Sequence, residues 1–240
     1  MQWFECWFNT PYYHLLYGKH DEKEAAFFLD NLLGYLKLNE HARCWDLNCG
    51  KGRHSVYLNK KGFDVIGTDL SEESIKQALA FENEHLHFYR HDMRNLFYAN
   101  YFNVVFNLFT SFGYFKNKHD DDKVFQSVYN ALKPGGIFIL DFLNAAPAIP
   151  RMKATEEKKI EDVVFNIKKK IEHNTIIKEI NITDKGKTCR YKEEVRIISE
   201  PEFVALGKKA GLKLKNTFGN YALQAFDEKE SERLILIFEK

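Results

Sequence analysis

Cys44-Trp45-Asp46-Leu47-Asn48-Cys49-Gly50-Lys51-Gly52-Arg53-His54-Ser55 decides how the rest of the chain is read. A short apolar strand ends in an acidic residue, a Gly-x-Gly bend follows, and the next residues open a helix. That order sets backbone N–H groups and a helix N-terminus at the carboxyl edge of a sheet, where a small polar or anionic ligand can sit.

Outward from this turn the chain alternates strand and helix. Arg53 to Lys60 reads as a helix closed by Lys60-Lys61-Gly62, a basic last turn and a glycine stop. Phe63 to Thr68 is a second strand closing on Asp69, and Ser71 caps a helix with Glu72 and Glu73 in its first turn. Leu86 to Tyr89 is a third strand, followed by Arg90-His91-Asp92-Met93-Arg94. The apolar run from Tyr101 to Phe109 is a fourth, central strand. A helix over 120–132 stops at Lys133-Pro134-Gly135-Gly136, and Ile137 to Phe142 is a fifth strand. Such alternation requires right-handed crossovers and a mainly parallel sheet.

The pattern then changes. Val163 to Ile171, Thr175 to Thr183 and Thr188 to Ile198 are β-rich, with His173-Asn174 and Asp184-Lys185-Gly186-Lys187 as hairpin turns. They predict an antiparallel insertion. Pro201 opens a helix to Lys209, Gly211 closes it, and Leu212–Phe218 and Leu234–Phe238 supply two last strands. Upstream, residues 2–17 are rich in Trp, Phe and Tyr, and Asn9-Thr10-Pro11 argues for a turn there. That segment either covers the core or lids the ligand cleft. From Asp21 to Leu36 the apolar residues recur at helical steps, with Asp21, Glu22 and Glu24 in the first turn.

Composition narrows the classes. A net charge of +1 over 240 residues draws the chain to neither nucleic acid nor an anionic membrane. Cys6, Cys44, Cys49 and Cys189 show no metal-type spacing and read as free thiols in a reducing compartment. No signal peptide and no apolar run near the ~20 residues of a membrane span is evident. A cytoplasmic protein without a bound metal is expected.

Asp46, Asp69 and Asp92 close three successive strands, and their recurrence is hard to reconcile with three unrelated loop residues. Asp69 follows Gly50 by 19 residues, a spacing that suits a carboxylate on the two hydroxyls of a ribose. Gly50-x-Gly52-x-x-Ser55 also nearly fits a dinucleotide fingerprint, which keeps a nicotinamide dehydrogenase open. Asp46 weighs against it, because a carboxylate before the bend repels a pyrophosphate but accepts bonds from an ammonium group.

The stretch 44–55 resembles the first motif of class I S-adenosylmethionine-dependent methyltransferases, and Asp69-Leu70-Ser71, His91-Asp92-Met93-Arg94 and Leu132-Lys133-Pro134-Gly135-Gly136 look like the later ones. Pro11 to Tyr17, Asn107 to Phe115, Gly219-Asn220-Tyr221 and Ser231 to Leu234 are similar to a group of small bacterial members whose substrates are uncharacterised. The resemblance implies an α/β, Rossmann-like three-layer sandwich. Its seven-stranded, mainly parallel sheet would run in the order 3-2-1-4-5-7-6, with the antiparallel insertion after the fifth strand. Residues 1–145 and 199–240 would form the cofactor-binding domain, 1–37 being an N-terminal lid and helix. Residues 146–198 would cover the substrate site.

The same resemblance implies S-adenosylmethionine as cofactor. Asp46, Gly50 and Gly52 would hold its methionine, Asp69 its ribose, Asp92 and the Met93 backbone its adenine edge, and Leu70 the adenine face. Asn107 and Leu108 would line the sulfonium side, and Tyr13, Asn48, Arg53 and Ser71 complete the expected contacts. Asn48 departs from the usual small residue, although Asn tolerates a left-handed backbone. Methyl transfer is an in-line displacement that relies on orientation and desolvation, and aromatic faces suit a sulfonium. No general base is assigned; Tyr13, His14 and Tyr114 are the candidates. Asn107-Leu108-Phe109-Thr110 lacks the paired prolines of nucleic-acid amino methyltransferases. The expected partner is a small-molecule acceptor methylated at O or N, handled by a monomer or homodimer. The alternatives are an RNA or protein methyltransferase, or a non-catalytic cofactor-binding module.

Overall fold

Two short helices, α1 (Trp3–Trp7) and α2 (Pro11–Tyr17), stand where a turn was expected. Thr10 Oγ1 accepts from the Tyr13 N–H, and Pro11 occupies the first helical position, where no N–H is needed. In the computed structural model, residues 2–18 and 22–240 are described. Asp21, read above as part of the third helix, lies outside them. That helix, α3 (Glu22–Leu36), buries Ala25, Phe28, Leu29 and Leu32, the apolar stripe its periodicity predicts.

Next come β1 (Arg43–Leu47), α4 (Arg53–Lys60), β2 (Asp64–Asp69), α5 (Glu72–Ala78) and β3 (Leu86–Arg90). β4 (Phe102–Asn107), α6 (Lys118–Ala131) and β5 (Leu132–Leu143) complete the first half. The expected insertion follows, but it is larger than the sequence suggests. It begins with α7 (Ala145–Arg151), then β6 (Thr155–Ile160), β7 (Val163–Glu172), β8 (Thr175–Asp184) and β9 (Lys187–Arg196). The prolines of α7 and the charged Thr-Glu-Glu-Lys-Lys-Ile of β6 carry no readable period, so both elements escape a pattern search. α8 (Glu200–Ala210), β10 (Lys213–Phe218) and β11 (Arg233–Glu239) end the chain.

The main sheet runs β3-β2-β1-β4-β5-β11-β10, the expected order once strands of the insertion are set aside. Pairs among β1 to β5 are parallel, and β11 runs antiparallel to both β5 and β10. One apolar layer gathers Trp45, Phe102, Phe125, Phe138 and Phe238, the other Phe28, Leu58, Phe88 and Ile237.

A second, four-stranded sheet runs β6-β7-β8-β9. Its inner face buries Phe165, Ile167, Ile180 and Ile182 against Trp7 and the tyrosines of α2. Trp7 Nε1 and Tyr17 OH both donate to Glu193 on β9, at 2.6 and 2.7 Å. The aromatic N-terminus therefore does two things at once. Its buried side covers the insertion, and Phe4, Phe8 and Tyr13 also reach the cleft described next.

Candidate active site

The carboxyl ends of β1 and β2 build the floor. The bend after β1 is closed by Cys49 N–H to Thr68 O at 2.9 Å and Gly52 N–H to Cys49 O at 3.0 Å. Gly50 has φ 56° and open space where a Cβ would stand, which leaves its backbone exposed to a ligand. Gly52 is held by packing: at φ 85° a Cβ would come within 2.6 Å of the Phe88 ring.

Asp69 closes β2. Its Oδ2 accepts from Gly50 N–H at 2.9 Å and its Oδ1 from Ser71 N–H at 2.8 Å. Burial raises its pKa, against the lowering effect of these backbone donors. Each oxygen accepts one of these bonds and retains acceptor capacity.

The cleft has two joined lobes. The smaller, about 100 Å³, is lined by Asn48, Gly50, Asp69, Leu70, Asp92 and Met93 under Phe4, Phe8 and Tyr13. The larger, about 750 Å³, takes in His14, Tyr17, Arg53, Leu108 and Phe109. Tyr13, Asn48, Gly50, Ser74, Ser111 and Tyr114 line both.

The three strand-end carboxylates do not share one role. Asp69 and Asp92 reach the smaller lobe, but Asp46 is 1% exposed and absent from either wall. It sits behind the bend, where Ser55 Oγ donates to its Oδ2 at 2.6 Å, and burial lifts its pKa to about 6. The oxygens of Asp92 are taken up by the backbone N–H and the guanidinium of Arg94, at 2.6–3.1 Å. That pairing holds its pKa down against the opposing effect of burial and leaves little capacity for a further donor.

Asn48 adopts φ 64°, the left-handed conformation anticipated for it. Its amide turns along the wall, donating to Ser111 O at 2.8 Å and to Met93 Sδ at 3.1 Å. Asn107 is buried beneath the same loop. Its Nδ2 donates to the Leu47 and Ser111 carbonyls at 3.3 Å, while its Oδ1 is buried without a partner. Ser71 caps α5 and donates to Phe8 O at 3.2 Å, tying the N-terminal segment to the floor. Gly52 and Ser71 support the wall from behind, and the Arg53 guanidinium lies 4.8 Å from the Phe109 ring centroid.

Burial moves the phenol pKa of Tyr13 and Tyr114 up, so neither acts as a base near neutrality. Tyr114 OH donates to Thr110 O at 2.7 Å. Burial and then the Lys51 charge lower the His14 pKa to about 4, and its Nε2 is buried with no hydrogen-bond partner among the described residues. Phe4, Phe8, Tyr17, Ser74, Ser111 and Phe115 also line the cleft, beyond the site residues expected from the sequence. Tyr17, Ser111 and Phe115 fall in the stretches 11–17 and 107–115 that carry the resemblance, and the aromatic richness of residues 2–17 was the signal for Phe4 and Phe8.

An open parallel sheet with a glycine bend after its first strand, and a half-buried acid closing the second, is the arrangement of nucleotide-binding α/β folds. Residues 45–136 match the family described as "Methyltransferase domain". Over 107 residues the chain is 39% identical to "Putative methyltransferase YqeM" of Bacillus subtilis (strain 168), covering 43% of each chain. It is 30% identical over 128 residues to the glycine/sarcosine N-methyltransferase of Halorhodospira halochloris, covering 51% of this chain and 46% of that one. It thus spans less than half the length of these curated relatives. A crystal structure of an S-adenosylmethionine-dependent methyltransferase from Clostridium acetobutylicum ATCC 824 superposes with a TM-score of 0.79 at 22% identity, over 95% of each chain.

Residues 45–136 match a methyltransferase domain, and the chain shares the fold of S-adenosylmethionine-dependent methyltransferases, so S-adenosylmethionine is the group to fit against the site. The residues present fit that group. Gly50 offers an open backbone cradle, and Asp69 keeps acceptor capacity on both oxygens. Among the described residues no helix is long and apolar enough to cross a membrane.

Proposed function

We propose that this chain transfers a methyl group from S-adenosylmethionine to O or N of a small molecule. The observation that carries the reading is Asp69, a half-buried strand-end acid braced by Gly50 and Ser71 at the floor of a two-lobed cleft. Asp69 would take the ribose hydroxyls, with Leu70 and Met93 against the adenine. The Gly50 backbone and Asn48 would hold the methionine side, while Asn107, buried beneath that wall, would support it.

When bound, the cofactor supplies an electrophilic methyl whose carbon bonds to the acceptor lone pair while the C–S electrons stay on sulfur, yielding S-adenosylhomocysteine. The chain's own part is placement and exclusion of water. Tyr13, Tyr114 and Phe109 would present aromatic faces to the positive sulfur, with Tyr13 and Tyr114 protonated. His14, neutral near pH 7, would accept a bond from the acceptor rather than charge it. A small acceptor suits a cleft roofed by α1 and α2, against which the β6–β9 sheet packs. Relatives named for methylation of glycine and sarcosine nitrogen support this class of acceptor. The thiols of Cys44, Cys49 and Cys189 support a reducing, cytoplasmic setting.

Calorimetric titration with S-adenosylhomocysteine tests the reading. Saturable one-to-one binding is expected, weakened at least tenfold in Asp69→Asn. A flat titration at high micromolar ligand would remove the proposal.

A further inference from the structure

The inner face of the β6–β9 sheet is apolar for two registered rows and then changes character. Phe165 lies opposite Ile182, and Ile167 opposite Ile180. The next row on that face sets Lys169 opposite Lys178, and Lys178 opposite Glu193, across three strands. Ile171, Ile176 and Val195 make the row beyond.

Two ammonium groups in direct cross-strand register oppose each other. Both are largely withdrawn from water, with side-chain exposures of 24% for Lys169 and 15% for Lys178. Each has a carboxylate neighbour at a loose distance: Lys169 Nζ is 3.3 Å from Glu156, and Lys178 Nζ is 3.4 Å from Glu193. Glu193 is also committed elsewhere, since Trp7 Nε1 and Tyr17 OH donate to it, and Lys178 Nζ further contacts Tyr17 OH. Apolar side chains of similar volume would serve the fold as well as this row or better. Its placement therefore calls for something other than stability.

The row faces a cavity of about 320 Å³ whose opposite wall is α7, through Ala148, Ile149 and Met152. That volume lies at the small end of ligand pockets. The cavity adjoins the cleft at Tyr17. Tyr17 lines the larger lobe, Lys178 and Glu193 line the cavity, and the contacts of Tyr17 OH with both form the partition.

We infer that this cavity binds the anionic group of the methyl acceptor, a carboxylate or a phosphate, against Lys169 and Lys178. The acceptor's apolar body packs on α7, and its O or N reaches past Tyr17 towards the cleft. Lys169 and Lys178 thus select the acceptor by its charge, an inference that rests on the methyltransferase reading above.

The test uses the full chain saturated with S-adenosylhomocysteine, whose own binding is measured first by calorimetry. If it does not bind, the methyltransferase reading fails and takes this inference with it. If it binds, melting temperatures are recorded with ω-amino and ω-hydroxy acids of two to six carbons, and with alkylamines and alcohols of the same lengths. Phosphoethanolamine against ethanolamine forms a second arm, which separates phosphate from carboxylate. An acid or a phosphate is expected to raise the melting temperature where its uncharged counterpart does not. With S-adenosylmethionine that same compound should be methylated. Its KM should rise at least tenfold in Lys178→Met and in Lys169→Met, with kcat within a few-fold, and fall back towards the wild-type value in Lys178→Arg. Two folded variants on different strands guard against one that fails to fold. Binding of S-adenosylhomocysteine with equal response to charged and uncharged compounds, or KM unmoved in both variants, overturns the inference while leaving the methyltransferase reading intact.

Discussion

Arg233, at the start of β11, donates from Nε to Asp141 Oδ1 at 2.8 Å, and this pair clamps the loop that follows β4. Asp141 is fully buried and the Arg233 side chain 19% exposed. Asp141 Oδ2 accepts from Phe109 N–H at 2.8 Å, and Arg233 Nη2 donates to Thr110 Oγ1 at 2.9 Å. Phe109 and Thr110 have φ of 57° and 60°, a strained pair of non-glycine residues, one of them β-branched. The ion pair holds them there, and with them Phe109 on the cleft wall.

Removing Arg233 should therefore cost more than a surface charge. Arg233→Met strands a buried carboxylate, a change worth about 3–5 kcal/mol. The melting temperature should fall by roughly 10 °C for a chain of this size, and affinity for S-adenosylhomocysteine should drop with it. Differential scanning calorimetry decides the matter, and a melting temperature within about 2 °C of wild type would show that the loop is held by other contacts.

Asp46 predicts a pH signature. Its folded pKa of about 6 lies above the ordinary 3.8, chiefly because of burial. The protonated acid is thus the form the fold favours. Its contribution is fully present below pH 3.8 and is lost as pH rises to about 6, an amount near ~3 kcal/mol for a shift of this size. Asp46→Asn keeps an acceptor for Ser55 Oγ without the charge. The stability difference, variant minus wild type, should grow between pH 4 and 6 and level off above. Urea midpoints across that range check it, and a constant difference counts against the assignment.

Asn48 separates backbone from side-chain effects. Asn48→Gly accepts φ 64° and loses only the amide bonds, at roughly 1 kcal/mol; Asn48→Ala adds left-handed strain, bringing the cost to about 2 kcal/mol. Ser111 O keeps a donor in either variant through Asn107 Nδ2. Affinity for S-adenosylhomocysteine in Asn48→Gly should stay within tenfold of wild type, measured by calorimetry. A large gain on this substitution would instead favour a module impaired by Asn48.

Gly52→Ala tests close packing. The new methyl meets Phe88 at 2.6 Å and the backbone at φ 85° disfavours any side chain. A loss of about 3 kcal/mol in chemical denaturation is expected, against about 1–2 kcal/mol for Gly62→Ala, where φ is 94° but the space is open. Equal losses would show that backbone strain alone accounts for the effect.

Along the chain, the elements of the main sheet were legible because each is coded by its neighbours. The apolar runs of β1 and β4, the Ser71 cap and the Gly211 stop are all local signals, and the structure repeats them. The failures share a cause as well. β6 has a charged sequence and α7 carries prolines, so their form depends on β7 and on packing that no short window contains. The acids Asp46 and Asp92 look equivalent to Asp69 in sequence. Which one keeps acceptor capacity for a ligand in the cleft depends on Ser55 and Arg94, whose bonds follow from a turn and a side-chain reach.

The sequence alone determined the parallel α/β sheet, the glycine bend and the acid nineteen residues beyond it, because hydrophobic period and turn chemistry act over a few residues. Only the tertiary structure decided that aromatic helices close over that bend with a four-stranded sheet packed against them. It alone put Arg233 behind Phe109, and Lys169, Lys178 and Glu193 in one row facing a cavity. Those relations join residues far apart in the chain, and they exist only once burial of apolar surface has drawn the elements together.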